Sequence, residues 1–276
     1  MNMKKSITVI MVVAVMIFAS SCSKKAPNEI GVQQGTTAQY FVDGSDDWGF
    51  SGINGFKSKQ YQNAGLAVQA LKNNAVKYVI TDRAPAASLS KAISGVKVID
   101  IPLTDEEYAF AVDKNNPELL QKINASLVKL KNNGTFDKIL NAYATENGIN
   151  PVVSAKKDLN NQDGQLVVAT NAAFAPFEYR EGDKFVGIDM EIAREIANDL
   201  GMELVIEDME FDSIVMSIGK HGVDVGMAAL TVTDTRKKSV NFSDSYYNAA
   251  QVLITKDSDK TFDNAKTADE VVALIK

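Results

Sequence analysis

The chain has 276 residues, 45% hydrophobic and 23% charged, an ordinary globular balance with length for two modest cores, which excludes disordered and collagen-like classes. Lys and Arg number 29 against 35 Asp and Glu, giving a net charge of −6, and an acidic chain is repelled by nucleic acid and anionic lipid. One His, one Cys and no phosphate-binding glycine-rich motif leave no metal or cofactor to expect.

The first segment reads as a signal peptide. Lys4 and Lys5 precede the apolar run 7–18, ITVIMVVAVMIF, whose 12 residues are too few to span a bilayer as a helix but suit a signal core. Ala19-Ser20-Ser21-Cys22 resembles the bacterial lipobox, with Ala19 where Leu is usual. That resemblance implies cleavage after residue 21, a diacylated Cys22 and a short polar tether over 22–29. An ordinary signal peptide would instead leave Cys22 as a free thiol. A lone exported thiol without a partner favours the anchor. Losing residues 1–21 removes two lysines and no acid, so the remaining net charge is −8.

Strand-like and helix-like stretches then alternate, as in a mostly parallel sheet flanked by helices. Strands are expected at Lys77–Ile80, Val96–Ile101, Leu166–Thr170, Glu203–Glu207, Val223–Met227 and Gln251–Thr255. Asn116-Pro117 opens a helix, with Asn as cap and Pro at the first helical position, and Leu120, Ile123, Leu127 and Leu130 form its apolar stripe. Ile188, Ile192, Ile196 and Leu200 form another stripe, ended by Gly201. The segment 147–165, NGINPVVSAKKDLNNQDGQ, reads as a linker, and 256–265 as a polar loop.

From Leu166 onward the chain resembles the extracellular solute-binding proteins of amino-acid ABC transporters, family 3. The resemblance rests on LVVATNAAFAPFEY (166–179), VGIDMEIAREIANDLG (186–201), FDSI (211–214) and DVGMAALTVTDTRKKSVNFSDSYY (224–247). Several ordered motifs over about 90 residues are far more specific than one short motif. The earlier stretches GVQQGTTAQYF (31–41), AVKYVITDRAPAA (75–87) and EEYAFAV (106–112), with helices at 117–149, resemble the part of the family that normally comes later. The implied fold is a two-lobed periplasmic-binding-protein-like (type II) α/β fold, circularly permuted. Its ends would fall between a helix like Ala268–Ile275 and a strand like Ile30–Val32, and 147–165 would join the family's usual termini. Termini that lie close at a surface permit such a rearrangement. Lobe 2 would be 28–113 plus 256–276 and lobe 1 114–254, with crossings near Val112–Lys114 and Ile254–Lys256. A dimer that exchanges lobes between chains, or a truncated tandem receptor, would fit the same order.

A free amino acid is a zwitterion, so burying it needs a cation for its carboxylate and an anion for its ammonium. Arg236, in TVTDTR at the start of a helix, is the cation expected from the resemblance, and a guanidinium fork suits a carboxylate. Ala228, Ala229 and Thr231 match the loop that presents backbone and hydroxyl groups. Asp82, at the carboxyl end of a strand, is expected to take the ammonium. Gln33, Thr36 and Thr37 would form the opposing wall, with Gly35 allowing close approach and Thr37 bonding the ligand carboxylate. Phe174 and Phe211 would sandwich the apolar part of the ligand, and Phe177 is left to the core. Asn171 and Gln33 are neutral, which leans the ligand toward a polar uncharged amino acid such as glutamine.

The resemblance implies hinge closure around a free L-amino acid, then docking on an ABC permease, with the membrane touched only through the lipid anchor. A dehydratase-like enzyme on the same fold and a sensory module are the other readings. Enzyme chemistry needs a positioned acid or base, and His221, in the polar turn GKHGVD, reads as exposed.

Overall fold

The computed structural model describes residues 28–160 and 162–276. The expected signal peptide, Cys22 and most of the tether lie outside the described residues. Two mixed sheets form two lobes. In the first, Lys57–Tyr61, Glu29–Gln33, Tyr78–Asp82, Gln251–Lys256 and Val96–Ile99 are neighbours in that order. The first three are parallel, and Gln251–Lys256 runs antiparallel to both strands it pairs with. In the second, the order is Glu203–Asp208, Gln165–Thr170, Val225–Gly226, Ala111–Asp113 and Val240–Phe242.

Both central strands are buried on two faces, and the period of two assigns their side chains to separate layers. Leu166 and Val168 pack with the stripe Ile123, Ile192 and Ile196, while Val167 and Ala169 meet Ile214 and Ile218. In the other lobe Ile80 and Leu253 face Phe262 and Val271, and Val79, Val252 and Ile254 face Val68 and Leu71. This is the two-lobed α/β architecture that the resemblance implied.

The chain passes between lobes twice, through Glu106–Tyr108 and Tyr247–Ala249, which pair antiparallel with each other. The expected boundaries are therefore corrected. Ala111–Asp113 belongs to the sheet of Gln165–Thr170, and the whole of Gln251–Lys256 to the sheet of Glu29–Gln33. The run Tyr108–Val112 is buried without interruption, so its pattern carries no mark of where one core ends and the next begins.

The helix ends follow their capping residues. Asn116 accepts from Leu119 N–H at 3.0 Å ahead of the helix Pro117–Asn132. Gly201 ends Ile188–Leu200 at φ 68°. The segment 147–165 is tied down rather than loose: Val152 bridges Phe185, and Ser154 and Ala155 bond Ile206 and Leu204 along the sheet edge.

Gly187 starts Ile188–Leu200 at φ 138°, and a Cβ there would meet Phe177 O at 2.0 Å. Gly187→Ala is expected to destabilise the fold by at least about 2 kcal/mol, through strain and overlap with a buried backbone. Denaturant unfolding checks this, and an unchanged midpoint would contradict that close approach.

Candidate functional site

A small, tightly closed cavity of about 10 Å³ lies between the lobes, lined by Gln33, Thr36, Thr37, Asp82, Asn171, Phe174, Phe211, Ala229, Thr231 and Arg236. The structure thus gathers ten residues singled out above from positions up to two hundred residues apart. Ala228 is the correction. It is buried in the core with Ile214 and Ile218, because the chain turns at Ala229, whose φ is 48°, so that only the second alanine meets the cavity. His221 sits exposed in a left-handed turn outside this lining.

Arg236 lies in the short helix Asp234–Lys237, capped by Thr233. Its side chain is buried and donates to Thr231 O at 2.8 Å and Gly35 O at 3.1 Å, one carbonyl from each lobe. Phe211 and Trp48 flank the guanidinium at 5.3 and 5.5 Å. Burial lowers its pKa to about 10, opposed by Glu106 and Asp82 acting through space. Its positive charge therefore meets carbonyl dipoles and ring faces, and no carboxylate bonds it among the described residues.

Asp82 ends the strand Tyr78–Asp82, where the sheet opens onto the cavity. Its Oδ1 accepts from Tyr108 OH at 2.6 Å and Gln251 Nε2 at 3.0 Å. Neighbouring Arg83 turns away and grips Asp100 with two bonds. Burial, and then the nearby Glu106, push Asp82 up to about 7.

Across the cleft Gln33 Nε2 donates to Asn171 Oδ1 at 2.9 Å, and Asn171 donates to Met209 O at 2.7 Å. The Ala229 turn is held by Asp189, which accepts from Ala229 N–H at 2.9 Å and Tyr246 OH at 2.6 Å. Burial raises Asp189 to about 7, and it raises Glu178 well above the carboxylate range, where neither oxygen has a partner. Burial without a bonded partner favours the protonated form of Glu178.

Thr37 and Thr231 donate their hydroxyl protons to Glu106 Oε2. This differs from the expectation that Thr37 bonds the ligand carboxylate, because a hydroxyl has one proton to give. Glu106, Gln251, Tyr108 and Trp48 are site residues without a motif to announce them. The available signal for Glu106 was a pair of acids, Glu106-Glu107, ahead of the unbroken apolar run 108–112.

Among the described residues no group of three or more His, Cys, Asp or Glu is arranged to hold a metal ion, and no helix is long and apolar enough to cross a membrane.

Residues 166–276 match the model of "Bacterial extracellular solute-binding proteins, family 3". The chain is 40% identical over 92 residues to the arginine-binding extracellular protein ArtP of Bacillus subtilis, covering 33% of this chain and 36% of that protein. It is 31% identical over 110 residues to the L-cystine-binding protein TcyJ of Escherichia coli, covering 39% and 40% respectively. The matched stretch spans under half the length of these curated relatives. A solved structure of the arginine-bound domain 1 of TmArgBP is 31% identical, with 44% of this chain and 98% of that chain covered and a TM-score of 0.31. Over residues 166–276, by its motifs and these curated relatives, the chain is similar to the bacterial extracellular solute-binding proteins, family 3.

Proposed function

We propose that the protein is an extracytoplasmic receptor that clamps one free amino acid between its lobes and delivers it to an ABC permease. The observation that carries this reading is one cavity bordered by a buried cation, Arg236, that no carboxylate bonds among the described residues, and a buried acid, Asp82, that no cation bonds among them. A zwitterion supplies both missing partners at once: its carboxylate takes the guanidinium and its ammonium takes Asp82. Arg236 comes from one lobe and Asp82 from the other, so the ligand stabilises the closed state by touching both.

The side chain would lie between Phe174 and Phe211 and reach toward Gln33 and Asn171. Two neutral amides there suit a polar uncharged side chain, glutamine-like. Matched relatives are named for arginine, cystine and histidine, so these are the rivals to separate. The short apolar run and Ala19-Ser20-Ser21-Cys22 support export and a lipid anchor at Cys22. Permuted chain order is supported by the helix Ala268–Leu274 and the strand Glu29–Gln33 sharing one core, where Val271 packs with Ile30, Val32 and Tyr78.

Thermal melting against the twenty amino acids, ornithine, citrulline and cystine tests the function. A ligand that binds only the folded state stabilises it by about 2.7 kcal/mol at a hundred times its Kd. A raised midpoint with one or a few polar amino acids is expected, and no shift with any would overturn the reading. Arg236→Ala and Asp82→Ala should each weaken binding by at least about 2 kcal/mol, since each strands a ligand charge; calorimetry with unchanged affinity in both would remove the zwitterion assignment.

The pH dependence follows from Asp82. An ordinary Asp titrates near about 3.9, and here the folded value is about 7. Between these values the folded chain holds a proton that the unfolded chain has lost. The stability this group contributes is therefore full below the unfolded value and is lost as pH rises through the folded one. Ligand binding runs the other way, because the ammonium needs the ionised carboxylate. Affinity should fall below about pH 7 by up to about tenfold per unit, level off above it, and release a proton on binding. Asp82→Asn should flatten the profile, and a flat profile in the parent protein would contradict the assignment.

A further inference from the structure

The two crossing strands run directly beneath the groups that face the ligand. Glu106, on Glu106–Tyr108, is 7% exposed and accepts three hydroxyl bonds. Thr37 reaches its Oε2 at 3.0 Å, Thr231 the same oxygen at 2.7 Å, and Thr104 its Oε1 at 2.7 Å. Thr37 belongs to the lobe of Glu29–Gln33. Thr231 belongs to the other lobe, in the loop between Val225–Gly226 and the Arg236 helix. One carboxylate oxygen on the hinge thus holds a hydroxyl from each lobe. Just past the other crossing, at the start of Gln251–Lys256, Gln251 Nε2 donates to Thr37 Oγ1 at 2.8 Å and to Asp82 Oδ1 at 3.0 Å.

A hydroxyl carries one donor and two acceptor positions. With their protons given to Glu106, Thr37 and Thr231 keep lone pairs for anything in the cavity they line. Lone pairs receive protons from an ammonium and repel a carboxylate.

We infer that Glu106 is a positioning residue that latches the two lobes through Thr37 and Thr231 and fixes their hydroxyls as acceptors for the ligand's ammonium. This rests on the amino-acid receptor reading for its ligand, while the latch between lobes stands on the contacts alone. The ammonium then lies among Asp82, Thr37 and Thr231, and the carboxylate is left to Arg236. Opening the cleft draws Thr37 away from Glu106, so the carboxylate loses a donor that closure restores. The hinge strand is in this way part of the site it carries, and the free protein is drawn toward the closed form before any ligand arrives.

The experiment compares the parent protein with Glu106→Gln, Thr37→Val and the double variant. A glutamine at 106 accepts through one atom only and presents donors from the other, so one hydroxyl must turn. Small-angle scattering without ligand should show a larger radius of gyration in Glu106→Gln than in the parent. Stopped-flow displacement with L-arginine and L-glutamine, using the sole tryptophan, Trp48, as reporter, should show dissociation at least tenfold faster. The effect of Glu106→Gln should largely vanish in the Thr37→Val background, because the two groups act as one pair. Unchanged scattering and dissociation, or effects that add fully with Thr37→Val, would overturn the latch. If neither amino acid binds the parent protein, the melting screen decides the receptor reading, and the ligand-free scattering still decides the latch. Should Glu106→Gln not fold, Glu106→Asp keeps the charge but is one methylene too short to hold both hydroxyls, and the same two readouts apply.

Discussion

Arg236 is a guanidinium taken out of water with only two carbonyls and two ring faces around it. A charge in that position costs several kcal/mol until an anion joins it, and the fold supplies none by direct bond. Much of the site is arranged around that charge. The Thr233 cap fixes the short helix that bears it, Gly35 brings a carbonyl from the opposite lobe, and Phe211 and Trp48 close its sides. Asp82 stands in the same cavity as the complementary vacancy. A dipolar ligand is the one class of small molecule that answers both demands without importing a net charge.

The lobes have the means to close on it. Each has its own two-layer core, and the chain passes between them only at the paired crossings Glu106–Tyr108 and Tyr247–Ala249. Closure is recorded in bonds that span the cleft: Gln33 to Asn171, Gln34 to Asp212, and Arg236 to Gly35. Under the proposed hinge closure, these bonds and the ligand would stabilise the same closed state. Beneath the cavity lie more acids than bases. Burial raises Asp82 and Asp189 to about 7 and Glu178 well above its ordinary value, which ties the site's charge to pH.

Most of the architecture was legible in the chain. Asn116-Pro117 and Gly201 marked helix ends that the structure keeps, and the TVTDTR and AAFAPF segments placed Arg236 and Phe174 on loops facing the cavity. The lobe boundary was not legible, because Tyr108–Val112 is apolar throughout and a buried strand looks alike on either side of a hinge. Ala228 and Ala229 are the same residue type side by side, and only the left-handed turn at Ala229 separates the core position from the cavity position. Glu106 and Gln251 act through hydroxyls and carboxylates brought together from distant segments, with no fixed spacing for a motif to show. Trp48 lies in the short turn Asp46–Trp48, far in sequence from Arg236, and only the fold brings its ring to 5.5 Å from that guanidinium.

The central claim is that one ligand joins Arg236 and Asp82 across the cleft. A crystal structure of the protein saturated with the amino acid that most raises its melting midpoint tests this directly. The account predicts the α-carboxylate on the Arg236 guanidinium and the α-ammonium on Asp82, with the side chain between Phe174 and Phe211. A ligand bound in the reverse orientation, or outside this cavity, would contradict it.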